Sequence, residues 1–101
     1  MAVILVTGAA KRIGQAIALA LGTDHRVIIH YNNSYTEALE TAHKIKSCGG
    51  QADIIQQNLL DNDASIRLFS ESQKIYGQID TIINSASLFL PDTLQDFSEE
   101  L

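Results

Sequence analysis

Four short aliphatic runs, Val3 to Val6, Val27 to Ile29, Ile54-Ile55 and Ile82-Ile83, punctuate the sequence, with a stretch of helical period between each and the next. Nothing else in the chain constrains its fold so tightly. The runs are rich in Val and Ile and are mostly continuous, not alternating, which predicts strands covered on both faces, as in a parallel sheet. One helical stripe is formed by Ile13, Ala16, Ile17, Ala20 and Leu21. A second comprises Tyr35, Ala38, Leu39, Ala42 and Ile45, and a third Leu68, Phe69, Ser72, Ile75 and Tyr76. Gly22, Gly49-Gly50 and Gly77 lie just past these stripes, where a left-handed residue closes a helix. Ser34, followed three residues on by Glu37, predicts a capping box at the start of the second helix. The order βαβαβαβ with right-handed crossovers gives an α/β fold, a doubly wound parallel sheet of strand order 3-2-1-4.

With 101 residues, 46% hydrophobic and 19% charged, the chain can pack one small domain or a piece of a larger one. A net charge of −5 and the lack of any basic cluster argue against a nucleic-acid partner. The opening run is too short for a signal-peptide core or a membrane span. The single cysteine, Cys48, excludes an internal disulfide and fits a reducing compartment, so the expected location is cytoplasmic. His25, His30 and His43 match no metal-ligand spacing, and surface or packing roles are expected for them.

The first run leads directly into Thr7-Gly8-Ala9-Ala10-Lys11-Arg12-Ile13-Gly14, inside which the first helix begins. Gly8 suits the tight turn leaving the strand, and Gly14 suits close packing of the helix on the sheet. The free N–H groups at the helix start then point at an anion. A cation in the first turn opposes the helix dipole, so Arg12 is expected to bind that anion instead of standing solvated.

This run resembles the glycine loop of the short-chain dehydrogenases/reductases, Thr-Gly-x-x-x-Gly-x-Gly. Arg12 in place of the middle glycine is similar to the pteridine reductase branch, in a run like Gly-Ala-Ala-Lys-Arg-Ile-Gly. The resemblance continues through His30-Tyr31 and through Asn84-Ser85-Ala86-Ser87, and it covers essentially the whole chain. It implies a Rossmann-type domain in which Gly8, Lys11, Arg12, Ile13 and Gly14 contact a dinucleotide. Asn58 and Leu59 would lie along the adenine, Asn84 and Ala86 along the ribose, and Ser87 near the pyrophosphate and substrate. Asn58 stands where the family usually has Asp; an amide offers both a donor and an acceptor to the adenine edge.

The end of the second strand reads His30-Tyr31-Asn32-Asn33-Ser34, with no acid to hold two ribose hydroxyls and repel a 2′-phosphate. The neutral donors Asn32, Asn33 and Ser34, with Lys11, make NADP the expected cofactor ahead of NAD. Phe89 lies near where pteridine reductases stack a phenylalanine on the pterin. It either stacks on a flat substrate or packs with Leu88, Leu90 and Pro91 as an apolar loop, and the sequence leaves both open.

The family's proton donor comes from a Tyr-x-x-x-Lys pair, and no tyrosine here has lysine four positions on. The expectation is therefore that residues 1–101 are a partial NAD(P)-binding domain stopping before the catalytic half. It belongs to a reductase of a pterin or related carbonyl or imine, with a small-molecule substrate in the intact protein. A stand-alone, non-catalytic nucleotide-binding module is the alternative. The fourth strand, Thr81-Ile82-Ile83-Asn84, would keep an unpaired edge, so the chain is expected to form a homo-oligomer through that side or to be marginally stable and aggregate, and Ile83→Lys to weaken the association.

Overall fold

The computed structural model describes residues 2–8 and 12–85. In chain order they form β1 (Val3–Thr7), α1 (Arg12–Leu21), β2 (Arg26–Tyr31), α2 (Tyr35–Ser47), β3 (Gln51–Gln56), α3 (Ala64–Tyr76) and β4 (Thr81–Asn84). The strands make one parallel sheet of order β3-β2-β1-β4. This is the expected α/β, Rossmann-like arrangement. Each strand outruns its aliphatic run: Arg26, His30, Tyr31, Gln51 and Gln56 continue ladders that the backbone, not the side chain, sustains.

Alternation along the strands explains why the runs are continuous. Ile4, Val6, Val27, Ile29 and Ala52 turn to one face, beneath Ala18 of α1 and Ala38, Ala42 and Ile45 of α2. Val3, Leu5 and Ile28 turn to the other, beneath Leu68 of α3. Burying each larger aliphatic side chain this way stabilises the fold by about 1.5–3 kcal/mol. At the amino ends of the strands, Asp80 is tied to β1: Val3 N–H donates to its Oδ2 at 2.8 Å, and its own N–H donates to Val3 O at 2.8 Å. Nearby, the Arg26 guanidinium carbon lies 5.6 Å from the centre of the Tyr76 ring, whose hydroxyl is pushed up to about 12 by burial first and by Asp53 second.

The predicted stripes of α2 and α3 hold in Ala38, Ala42, Ile45, Leu68 and Ser72, with Ile75 and Tyr76 partly buried, and α1 departs most. In α1 the buried face runs through Gly14, Ala18 and, just past the helix, Gly22, with Ile17 and Leu21 half-buried; Ile13 is 73% exposed, and Ala16 and Ala20 are exposed. Small residues at i, i+4 and i+8 let the helix axis approach the sheet, so this row, and not the bulkier one beside it, makes the contact. In α2, Thr41 replaces Leu39 and Tyr35 on the buried face, because its hydroxyl donates to Glu37 O at 2.9 Å and accepts from Gln15 Nε2 at 2.8 Å. In α3 the buried row is Ala64, Leu68 and Ser72, with Phe69 exposed.

Helix ends are also partly revised. Gly49 and Gly77 take the expected left-handed backbone, with φ of 89° and 87°. Gly22 and Gly50 do not; a Cβ on either would meet Ile45 Cγ2 at 2.8 Å, so packing excludes a side chain there. Ser34 does precede α2, but with φ −91° and ψ 57° it forms no side-chain cap hydrogen bond, so the expected capping box is not made.

Candidate functional site

The chemistry-bearing residues gather at the carboxyl ends of the strands, where β1 hands over to α1. Gly8 has φ of 65°, a left-handed turn that a residue with a Cβ rarely adopts. Gly14, in the first turn of α1, comes so close that a Cβ would strike the Gly8 carbonyl oxygen and lie 2.7 Å from Ser85 Oγ. The two glycines thus form one feature, a sharp exit from the strand with a helix start pressed against it. No acidic side chain occupies the first turn of α1, so its amino end keeps its partial positive charge. Ile13 projects from that turn into solvent.

A hydrogen-bond network fixes the surroundings. Gly8 N–H donates to His30 Nδ1 at 2.9 Å, and the other ring nitrogen, Nε2, lies 2.8 Å from Gln57 O. An Nδ1 that accepts carries no proton, so Nε2 carries it and donates. The ring is 2% exposed, and burial pushes its pKa below the ordinary 6.5, with the Gln57 carbonyl opposing that shift. On the other side of β1, the Thr7 hydroxyl donates to Asn84 Oδ1 at 2.8 Å, Ser85 N–H donates to Thr7 O at 3.3 Å, and Ser85 Oγ also donates to Thr7 O.

The remaining candidates are distributed around this centre. Asn32, Asn33 and Ser34 form the passage from β2 to α2; Asn32 and Ser34 are half-buried and Asn33 exposed. Gln56 Nε2 donates to Asn32 O at 3.1 Å, and the Tyr31 and Tyr35 rings flank the passage with centroids 5.9 Å apart. Asn58 Oδ1 accepts from Leu60 N–H at 2.9 Å. One of its two acceptor lone pairs is therefore engaged by the backbone, and the amide donor is unengaged by any hydrogen bond among the described residues. Leu59 packs against the cluster beneath α3. A cavity of about 210 Å³ opens beneath these strand ends, lined by Leu5, Leu59, Leu68, Phe69, Ile82 and Asn84 among others.

Lys11, Ala86, Ser87 and Phe89 lie outside the described residues, and of Arg12 only the backbone is described, as the first residue of α1. Sequence reasoning expected a surface or packing role for His30, and it is buried, but its bridge between two turns gives no signal in composition or spacing. The signal was positional: a polar ring ending an otherwise aliphatic buried strand needs partners for both nitrogens.

The sequence profile of the short chain dehydrogenases matches residues 2–101. The chain belongs to the short-chain dehydrogenase family. It is 33% identical over 99 residues to a trihydroxynaphthalene reductase of Colletotrichum orbiculare, covering 97% of this chain and 35% of that protein. A Burkholderia cenocepacia protein solved with NADP bound superposes with a TM-score of 0.77 at 36% identity, over 82% of this chain and 33% of that one. The angucycline C-6 ketoreductase LanV, also with NADP bound, gives a TM-score of 0.72 at 31% identity, over 80% and 34%. This short-chain dehydrogenase chain thus spans about a third of the length of these relatives and corresponds to their N-terminal portion. The relatives carry naphthol and polyketide-type names, so the resemblance to pteridine reductases stays one of loop motif. Among the described residues, no helix is long and apolar enough to cross a membrane.

Proposed function

We propose that residues 1–101 are the NADP-binding part of a cytoplasmic short-chain reductase whose substrate is a flat aromatic carbonyl or imine. The observation that carries this reading is the interlocked Gly8–Gly14 turn, where a Cβ would fill the cradle, opening onto an acid-free helix start. In this reading the pyrophosphate rests on the α1 amino end beside Lys11, Arg12 and Ile13. The adenosine lies over Asn58-Leu59, Asn84 and Ala86, and the 2′-phosphate meets Asn32, Asn33 and Ser34. Bound NADPH would supply hydride; this chain's residues bind and orient it. A relative named trihydroxynaphthalene reductase and a ketoreductase solved with NADP support an aromatic carbonyl, while the Lys11-Arg12-Ile13-Gly14 run and Phe89 support a pterin as the second choice. An exposed β4 supports self-association through that strand.

Calorimetric titration tests the cofactor. NADPH is expected to bind more tightly than NADH, and Asn33→Asp is expected to reverse the order by setting a carboxylate against the 2′-phosphate. Equal affinities in the unaltered chain would overturn the assignment. This chain alone is expected not to oxidise NADPH with a naphthol-type ketone or dihydropterin; steady loss of the reduced-cofactor absorbance would show otherwise.

A further inference from the structure

We infer that His30 is a positioning residue for the dinucleotide: its imidazole holds the glycine turn in the shape the ligand meets. The inference rests on the NADP-binding reading above. Gly8 is the first residue beyond β1, and a glycine turn left to itself samples both signs of φ. Its N–H is held by Nδ1 at 2.9 Å, and the ring is anchored from behind by Gln57 O at 2.8 Å. Gln57 leads directly into Asn58-Leu59, so one ring joins the ends of β1, β2 and β3. Gly8 is then ordered before a ligand arrives, which lowers the ordering cost of binding. The bridge also demands one tautomer. A proton on Nδ1 would set N–H against N–H at Gly8, whereas a proton on Nε2 satisfies both neighbours. The residue is 2% exposed, which keeps both bonds largely away from solvent.

The test uses the full chain and two variants. His30→Asn keeps an acceptor, Oδ1, near the place of Nδ1 but cannot reach Gln57; His30→Leu keeps volume and offers no acceptor. By titration calorimetry, NADPH affinity is expected to fall about threefold or less in His30→Asn and about tenfold or more in His30→Leu. Hydrogen exchange at the Gly8 amide is expected to quicken in His30→Leu only. Unchanged affinity together with unchanged Gly8 exchange in His30→Leu would overturn the inference. Should His30→Leu fail to fold, long-range proton–nitrogen correlation spectra of the unaltered chain decide: the proton belongs on Nε2, and a proton found on Nδ1 refutes the bridge. If the unaltered chain binds no NADPH, the cofactor reading falls, while Gly8 exchange and the tautomer still decide whether His30 sets the turn.

Discussion

The two faces of the sheet are built from the same kind of residue and end in different states. On one, α1 and α2 bring Ala18, Ala38, Ala42 and Ile45 down on Ile4, Val6, Val27, Ile29 and Ala52, and none of these is more than 5% exposed. On the other, among the described residues, α3 covers Val3, Leu5 and Ile28, and Ile82 stays 50% and Phe69 39% exposed around a cavity. A parallel sheet is most stable with both faces covered. Ile83, expected to form the exposed edge, instead packs against the closed face, and Ile82 is the side chain that meets solvent. The closed face holds the fold together; the open one surrounds the strand ends where ligand chemistry is proposed.

The largest expected effect strikes where the closed face meets the glycine turn. Gly14→Val should drive a Cβ into the Gly8 carbonyl and lower stability by about 3 kcal/mol, abolishing NADPH binding as well. A urea melt reads the first and titration the second; a variant as stable as the parent would mean the two glycines are not in contact. Ala38→Leu, in the middle of the closed face, should cost about 2 kcal/mol through overpacking. Tolerance of that side chain would erase the contrast between the faces.

His30 shares the open face with Ile28 by alternation, and its titration gives the next effect. Because burial holds its folded pKa below the ordinary 6.5, the unfolded chain takes up a proton more readily than the folded one. This part of the stability is whole above pH 6.5 and shrinks as the pH falls below it toward the lower folded value. The loss reaches at most about 1.4 kcal/mol per pH unit. Melts at about pH 7.5 and about pH 5.5 should show it, and His30→Asn should flatten the difference. The smallest effect is at Ile82, where Ser should change stability by less than about 0.5 kcal/mol. Ile82→Lys should nevertheless weaken self-association seen by light scattering, since a charge opposes edge pairing. A monomeric parent at high concentration would show that the open face needs no cover.

Strand order and the place of the glycine turn were legible because they depend on features written locally: uninterrupted aliphatic runs and glycines at a strand exit. Helical phase was legible in α2 and α3, where Ala38, Ala42, Ile45, Leu68 and Ser72 are buried as expected, but not in α1. Counting apolar residues favoured Ile13, Ala16 and Ala20, whereas close approach to the sheet selects by smallness, and the contact row moved to Gly14 and Ala18. Ser34 and Glu37 have the right spacing for a cap, yet the Ser34 backbone leaves its hydroxyl off the N–H groups. The local turn that ties Asn58 Oδ1 to Leu60 N–H was not legible, nor were the two distant backbone groups that meet on the His30 ring. Each of these depends on partners far apart in sequence or on a turn's dihedral angles.

The clamp between Asp80 and Val3 joins residues 77 apart, so β1, which lies between β2 and β4, receives its second neighbour late. β2 can pair with β1 soon after it is made, but β4 cannot close the other side until the chain has grown 77 residues beyond Val3. At ribosomal speeds of about 5–20 residues per second, the chain carries a bare side of β1 for several seconds. That interval, and not the finished molecule, is when the stretch from Val3 to Thr7 is most open to the wrong partner, and a chaperone that recognises short aliphatic segments would find it there.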